Sequence, residues 1–271
     1  YQEGETTLTD EQIISKIDML FKAAVDVGVR KNAEYGYKNL ITLSGGLDSR
    51  MTMWVANEMN AKSIVALTFG ESHCMDARIA EKVVKYWNNE YVFKPLDDGQ
   101  MLTLFDEVIK QNWGLSLYSG IAHSYSVLKT INSKDFGLLL TGDLGDAIVG
   151  SFHHGNEGKH PGAYSTKLLH RLAEYVNEFD NIEKYKMVTR GFNGVGVSKI
   201  VCENFLYCYS PFLDRDFFTF CLSSIPKEKR DNHYIYKQWV IKKHPEAAKL
   251  PLQRYNGGLM TEGKLIQTIR K

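Results

Sequence analysis

NLITLSGGLDSR, residues 39–50, decides the reading of this chain. An apolar strand runs into Ser44, Gly45 and Gly46, and a helix opens at once with Asp48 and Ser49. In a parallel sheet such a strand ends at the carboxyl edge, where glycines adopt angles closed to other residues and let main-chain amides approach an anion. The helix that follows adds unpaired amides and the positive end of its dipole. The stretch therefore reads as a phosphate cradle. It is not the Walker type, which places a Lys after its last Gly, because Leu47 and then Asp48 follow here. A carboxylate beside a polyphosphate makes sense when Mg²⁺ lies between them. The competing reading is a plain strand-to-helix turn in which Asp48 or Ser49 caps the helix.

Working outward, the chain alternates helix and strand. Thr9 with Gln12 makes a capping box, after which Ile13, Ile17, Leu20, Phe21 and Ala24 recur at helical spacing. Beyond the loop, the pattern predicts a helix over 48–59, a strand over 63–69, a helix over 76–87 and a short strand over 91–93. Helices over 96–112 and 120–132 and a buried strand over 137–140 follow. The succession predicts an α/β fold, a doubly wound, mostly parallel sheet with helices on both faces and ligands at the carboxyl ends of its strands. Residues 1–150 are expected to form this core and 151–271 a mostly helical carboxyl-terminal part.

With 271 residues, 44% of them hydrophobic, the chain can bury a large core. Thirty-three basic against 32 acidic residues leave a formal charge of +1, a balance that calls for neither nucleic acid nor an anionic membrane. Cys74, Cys202, Cys208 and Cys221 form no Cys-x-x-Cys pair, and there is no signal-peptide pattern or apolar run of membrane-spanning length. A reduced, cytoplasmic protein is expected. Because the chain starts at Tyr1 rather than Met, a missing upstream part is also expected.

A second strand-to-turn junction lies at LTGDLGDAIVG, residues 140–150. Asp143 and Asp146, three apart, could face one ion from a first helical turn; acidic first turns are also common as simple helix starts. Both junctions would emerge on the same sheet edge.

Ser-Gly-Gly-x-Asp-Ser after a strand resembles the loop of the N-type ATP pyrophosphatases. The second junction resembles the Ser-Gly-Glu-Gly-x-Asp-Glu-Leu-Phe-Gly signature of that superfamily's asparagine synthetase and beta-lactam synthetase branch. YSPFLDRDFF, residues 209–218, is similar to the branch's Pro-Phe-Leu-Asp-Arg segment. The resemblance implies an adenine nucleotide alpha-hydrolase-like fold and an ATP-dependent amide ligase forming AMP and pyrophosphate. Carried over position by position, Leu43, Ser44, Gly45, Gly46, Asp48 and Ser49 would hold the pyrophosphate. Leu67 and Phe69 would line the adenine pocket, and Gly120 falls in the next nucleotide-lining helix. Asp48 and Asp146 would bind Mg²⁺, and Asp143, one methylene shorter than the signature's first Glu, would contact the carboxylate substrate. The implied partners are that carboxylate and ammonia or an amine. The branch's amino-terminal glutaminase domain, with its nucleophilic first Cys, is absent from this chain, whose earliest Cys is Cys74; ammonia would come from an upstream glutaminase domain or subunit, or from solution.

The chain departs from the signature at Leu144, in place of Gly, and Ala147, in place of the last acid. The branch's final basic loop offers a Lys where Asn256 stands here; Arg254 or Lys249 is expected to substitute. Arg50 is expected to touch a phosphate or a substrate carboxylate or, preferably, to be a solvated first-turn side chain. Asp214 with Arg215 reads as a structural bridge or a catalytic pair. His153, His154 and His160 match no zinc spacing and read as a polar loop beside the site. Cys202 and Cys208 read as core thiols, and the aromatic run over 205–220 as a helix or buried turn. Two rivals are a pyrophosphatase-loop enzyme acting on RNA and a non-catalytic ATP- or AMP-binding relative.

Overall fold

The computed structural model describes residues 7–115, 118–152, 175, 178–253 and 257–260. The first element is α1, Asp10–Glu34, started by the expected capping box: Gln12 N donates to Thr9 Oγ1 at 3.3 Å and Thr9 N to Gln12 Oε1 at 2.9 Å. Its periodic face, Ile13, Ile17, Phe21 and Ala24, is fully buried.

Two strand–helix units and a third strand follow: β1, Lys38–Thr42, with α2, Asp48–Glu58; β2, Ile64–Gly70, with α3, Met75–Trp87; and β3, Glu90–Pro95. Beyond α4, Phe105–Asn112, and α5, Tyr118–Leu128, the chain returns as β4, Phe136–Leu140. The sheet order is β3-β2-β1-β4-β5, with every pair parallel. The chain winds outward from β1 through β3 and then crosses to β1's other side, so a crevice opens past the carboxyl ends of β1 and β4. Strand alternation divides the core. Ile41, Ala66 and Leu140 pack with α1, α2 and α3, while Leu40, Val65 and Leu139 pack with Val127 and Leu128 of α5. Helices on both faces are the doubly wound arrangement expected.

Three expectations need correction. The helix over 96–112 is broken: Gly99 takes φ +62°, Asp98 Oδ1 accepts from Gln100 N at 3.0 Å, and a 3₁₀ turn at Gln100–Leu104 precedes α4. The aromatic run contains a strand, β5, Tyr207–Tyr209, paired with β4 through Leu138, Leu139 and Leu140. Three residues carry no readable period, so the pairing partner and not local pattern makes this strand; Tyr209 Oη donates to Ala24 O at 2.7 Å across the layer. Asp214 does not pair with Arg215. It caps α7, Arg215–Ser224, by accepting from Asp216 N and Phe217 N at 3.0 and 3.1 Å, and Arg215 points to solvent beside Asp216.

The remaining described elements are helical: α6, Ile182–Lys186; a π-helical stretch, Met187–Gly196; a 3₁₀ turn, Lys199–Asn204; α8, Lys227–Arg230; α9, Tyr234–Lys243; and α10, Pro245–Lys249. They return to the sheet through an aromatic cluster in which Phe212 lies 4.6 Å from Phe21 of α1, with Phe217 and Trp239 beside it.

Candidate active site

The loop after β1 is built around two serines. Ser49 Oγ accepts from Ser44 N at 3.0 Å and lies 3.0 Å from Ser44 Oγ, which in turn accepts from Gly46 N at 3.2 Å. Neither Asp48 nor Ser49 caps α2. Leu47 occupies the cap position with no side-chain hydrogen bond, which leaves the end of the helix to a ligand. Gly45 N donates to Asp76 Oδ1 at 2.6 Å, so a carboxylate from the start of α3 sits where an anion would meet that amide.

The turn after β4 presses against this loop. A Cβ on Gly142 would lie 2.3 Å from Ser49 N, and one on Gly145 2.6 Å from the Asp48 carboxyl carbon. Only glycine permits this approach. Leu144, where the resembling signature has Gly, still takes a left-handed φ of +63°, and its side chain is buried. Ala147 is fully buried, so an acid there would face the core.

The close approach brings the metal candidates together. Asp48 Oδ2 accepts from Asp146 N at 2.9 Å, and Oδ1 from Tyr236 Oη at 2.7 Å. Burial in the crevice, reinforced by the charge of Asp146, pushes the Asp48 carboxyl up to about 7, against the pull of these two hydrogen bonds. Two carboxylates that repel one another beside phosphate-binding amides form a donor set that fits Mg²⁺, which usually takes one or two carboxylates and completes its shell with phosphates and water. Among the described residues no group of three or more His, Cys, Asp or Glu could hold a metal, which sets this pair apart from a zinc-type cage.

Two cavities meet at the loop, both bordered by Gly46 and Asp48. One, of about 230 Å³, is lined by Gly45, Asp146, His233, Tyr236, Lys237 and Gln253. The other, of about 410 Å³, is lined by Leu43, Ser44, Ser49, Leu67, Phe69, Asp143 and Lys199. Phe69 stacks on His123 at 6.3 Å, and burial lowers the His123 pKa. The structure thus gathers Leu43, Ser44, Gly45, Gly46, Asp48, Ser49, Leu67, Phe69, Asp143 and Asp146 around one crevice. Gly120 lies in the first turn of α5. Arg254, Asn256, His153, His154 and His160 lie outside the described residues.

Two expectations about cations change. Arg50 is fully buried rather than solvated, and donates to the carbonyls of Ala247 at 3.1 Å, Leu250 at 3.0 Å and Pro251. Lys249 pairs with Glu246 at the surface and borders neither cavity; Lys237 of α9 does. Lys237, Tyr236, Asp76 and Lys199 escaped the sequence reading. Asp76 alone left a signal, as an acid just past the carboxyl end of a strand.

The family model described as Asparagine synthase matches residues 16–190. No curated protein matches the chain. Among solved structures, a tRNA thiolase from Methanococcus maripaludis is 14% identical, with 85% of this chain and 75% of that one covered and a TM-score of 0.38. An NH3-dependent NAD synthetase from Campylobacter jejuni is 16% identical, with 87% and 97% covered and a TM-score of 0.37. With its family model spanning more than half of its length, the chain belongs to the asparagine synthase family.

Proposed function

We propose that the chain is an ATP-dependent, AMP- and pyrophosphate-forming amide ligase, which activates a carboxylate as an acyl-adenylate for attack by ammonia or an amine. The observation that carries this reading is the convergence of Asp48 and Asp146, from the turns after β1 and β4, on a cavity whose other wall bears Gly45, Gly46 and Lys237. The loop amides and the N-terminus of α2 would bind pyrophosphate oxygens. Lys237, with His233 one helical turn before it, would face the same group and offset charge on it as it leaves. Asp48 and Asp146 would hold Mg²⁺, which supplies Lewis-acid stabilisation of the phosphates when bound. The larger cavity, with Leu67, Phe69 and Asp143 on its walls, has the mixed lining that a nucleoside and an acyl substrate need. Asp143 would contact the acyl substrate, and Arg254 is proposed as a further phosphate ligand.

The test is pyrophosphate release from Mg-ATP by the wild-type chain with aspartate and a panel of other carboxylates, with and without ammonia, against Asp48→Ala and Asp146→Ala. Carboxylate-dependent release that falls about 100-fold or more in both variants supports the ligase. A chain that binds Mg-ATP yet releases no pyrophosphate with any carboxylate is a binding protein, a second reading that Ala147, in place of the signature's last acid, favours.

A further inference from the structure

Asp143 is fixed in the wall of the larger cavity by a residue outside every motif. Lys199 opens the 3₁₀ turn that leads into β5, and its Nζ lies 2.9 Å from Asp143 Oδ2, with each side chain about one-quarter exposed (25% and 23%). The same Oδ2 accepts from Thr141 Oγ1 at 2.6 Å, and the main-chain carbonyl of Asp143 accepts from Ser210 Oγ at 2.8 Å. Among the described residues no hydrogen bond reaches Oδ1. One oxygen is therefore clamped from two sides and the other is not, on a residue that lines a cavity also bordered by Ser44 and Phe69.

Burial pulls the Lys199 ammonium down, and Asp143 more than reverses this, so that its pKa is raised overall. The pair is ionic. An ion pair buried to this extent contributes little net stability, because desolvation consumes much of its Coulomb energy; its physical effect is to select one geometry. That matters at Asp143, whose shorter side chain has less reach than the Glu of the resembling signature.

We infer that Lys199 is a positioning residue: it locks Asp143 in the orientation that presents the second carboxylate oxygen to the acyl substrate. The inference rests on the ligase reading above. It is tested with Lys199→Met, Lys199→Arg, Asp143→Asn and the Lys199→Met/Asp143→Asn pair. Two quantities are measured: affinity for Mg-bound α,β-methylene ATP, and carboxylate-dependent pyrophosphate release. Lys199→Met should leave nucleotide affinity within about twofold and lower kcat/KM for the carboxylate about 100-fold, the cost of misplacing a contact by an ångström. Lys199→Arg, which keeps the charge, should recover most of that loss. The double variant should be no worse than Asp143→Asn alone, because the two residues act as one unit.

Unchanged turnover in Lys199→Met overturns the inference, and so do losses that multiply in the double variant or a fall in nucleotide affinity. If Lys199→Met fails to fold, Lys199→Gln is read by the same criteria. A wild-type chain that binds the nucleotide but releases no pyrophosphate sinks the ligase reading and this role with it; a reacting wild type matched by Lys199→Met sinks this role alone.

Discussion

Asp48 is the residue on which charge, burial and ligand binding meet. Its carboxyl sits at about 7 in the folded chain, against 3.8 for an unperturbed Asp, so the folded state holds a proton that the unfolded state has released between those values. For an acid raised in this way, the contribution to stability is complete below pH 3.8, declines as pH rises, and is gone above about 7. Asp48→Asn, which cannot ionise, should exceed wild type in stability by a small margin at pH 5 and by a larger one at pH 8. Mg²⁺ needs the ionised carboxylate, so it should raise the wild-type Tm at pH 8 and do little at pH 5. Thermal unfolding of both proteins at the two pH values, with and without Mg²⁺, checks this; a difference between the proteins that ignores pH counts against the raised carboxyl. The identity of this residue was plain in the sequence, since an Asp two places after a Gly-Gly turn is a local pattern. Its titration was not legible, because it depends on Asp146 and Tyr236, 98 and 188 positions away.

Among the elements, α10 depends on a side chain from α2. A helix ends with carbonyls that have no partner in the helix, and here Arg50 takes those of Ala247, Leu250 and Pro251. Burial pulls the guanidinium down to about 10, which still leaves it charged at neutral pH. The same segment continues to Gln253, whose N donates to Gly45 O at 3.1 Å and whose Nε2 donates to Asp76 Oδ2 at 3.1 Å. Arg50 thereby fastens the closing segment to the phosphate loop. Arg50→Met, which strands these buried carbonyls, should cost about 3 kcal/mol, read from the urea midpoint, and should also weaken Mg-nucleotide binding. Arg50→Lys should recover only part, since a compact ammonium lacks the planar fork that reaches several acceptors at once. Helices α1 and α3 were legible from their apolar periods and α2 from the glycine turn that opens it; the burial of Arg50 was not, since nothing near it in sequence names acceptors two hundred residues on.

At the scale of the whole molecule, one core cluster runs from α1 through the sheet to α9 and α10, so the nucleotide-binding region and the carboxyl-terminal helices share their apolar interior. A buried ion pair ties α6 to α8. Arg230 donates to both oxygens of Glu183, through Nη1 to Oε1 and through Nη2 to Oε2 at 3.0 Å, with each side chain 1% exposed. The Arg230 carbonyl packs against Gly150, where a Cβ would lie 2.2 Å away and φ is +142°. Glu183→Gln should therefore destabilise by about 3–5 kcal/mol, because it removes one charge of a buried, two-pronged pair, and Glu183→Gln with Arg230→Met should recover part of that loss. Denaturant unfolding of the single and double variants measures both; a single-variant cost near zero would place the pair in solvent.

What the sequence determined by itself was local: the strand-to-helix loop at Ser44–Gly45–Gly46, the acids at Asp48, Asp143 and Asp146, the alternation of elements that makes a parallel doubly wound sheet, and the capped amphipathic α1. Each is written in neighbouring residues, because backbone freedom at glycine, helical period and capping act over a few positions. The tertiary structure decided the rest. It made a strand of Tyr207–Tyr209, turned Arg50 inward, set Tyr236 and Lys237 opposite the loop and joined Lys199 to Asp143. Those outcomes follow from burial and charge between segments far apart in the chain, where no local pattern specifies which groups will share the low-dielectric space at the mouth of the sheet.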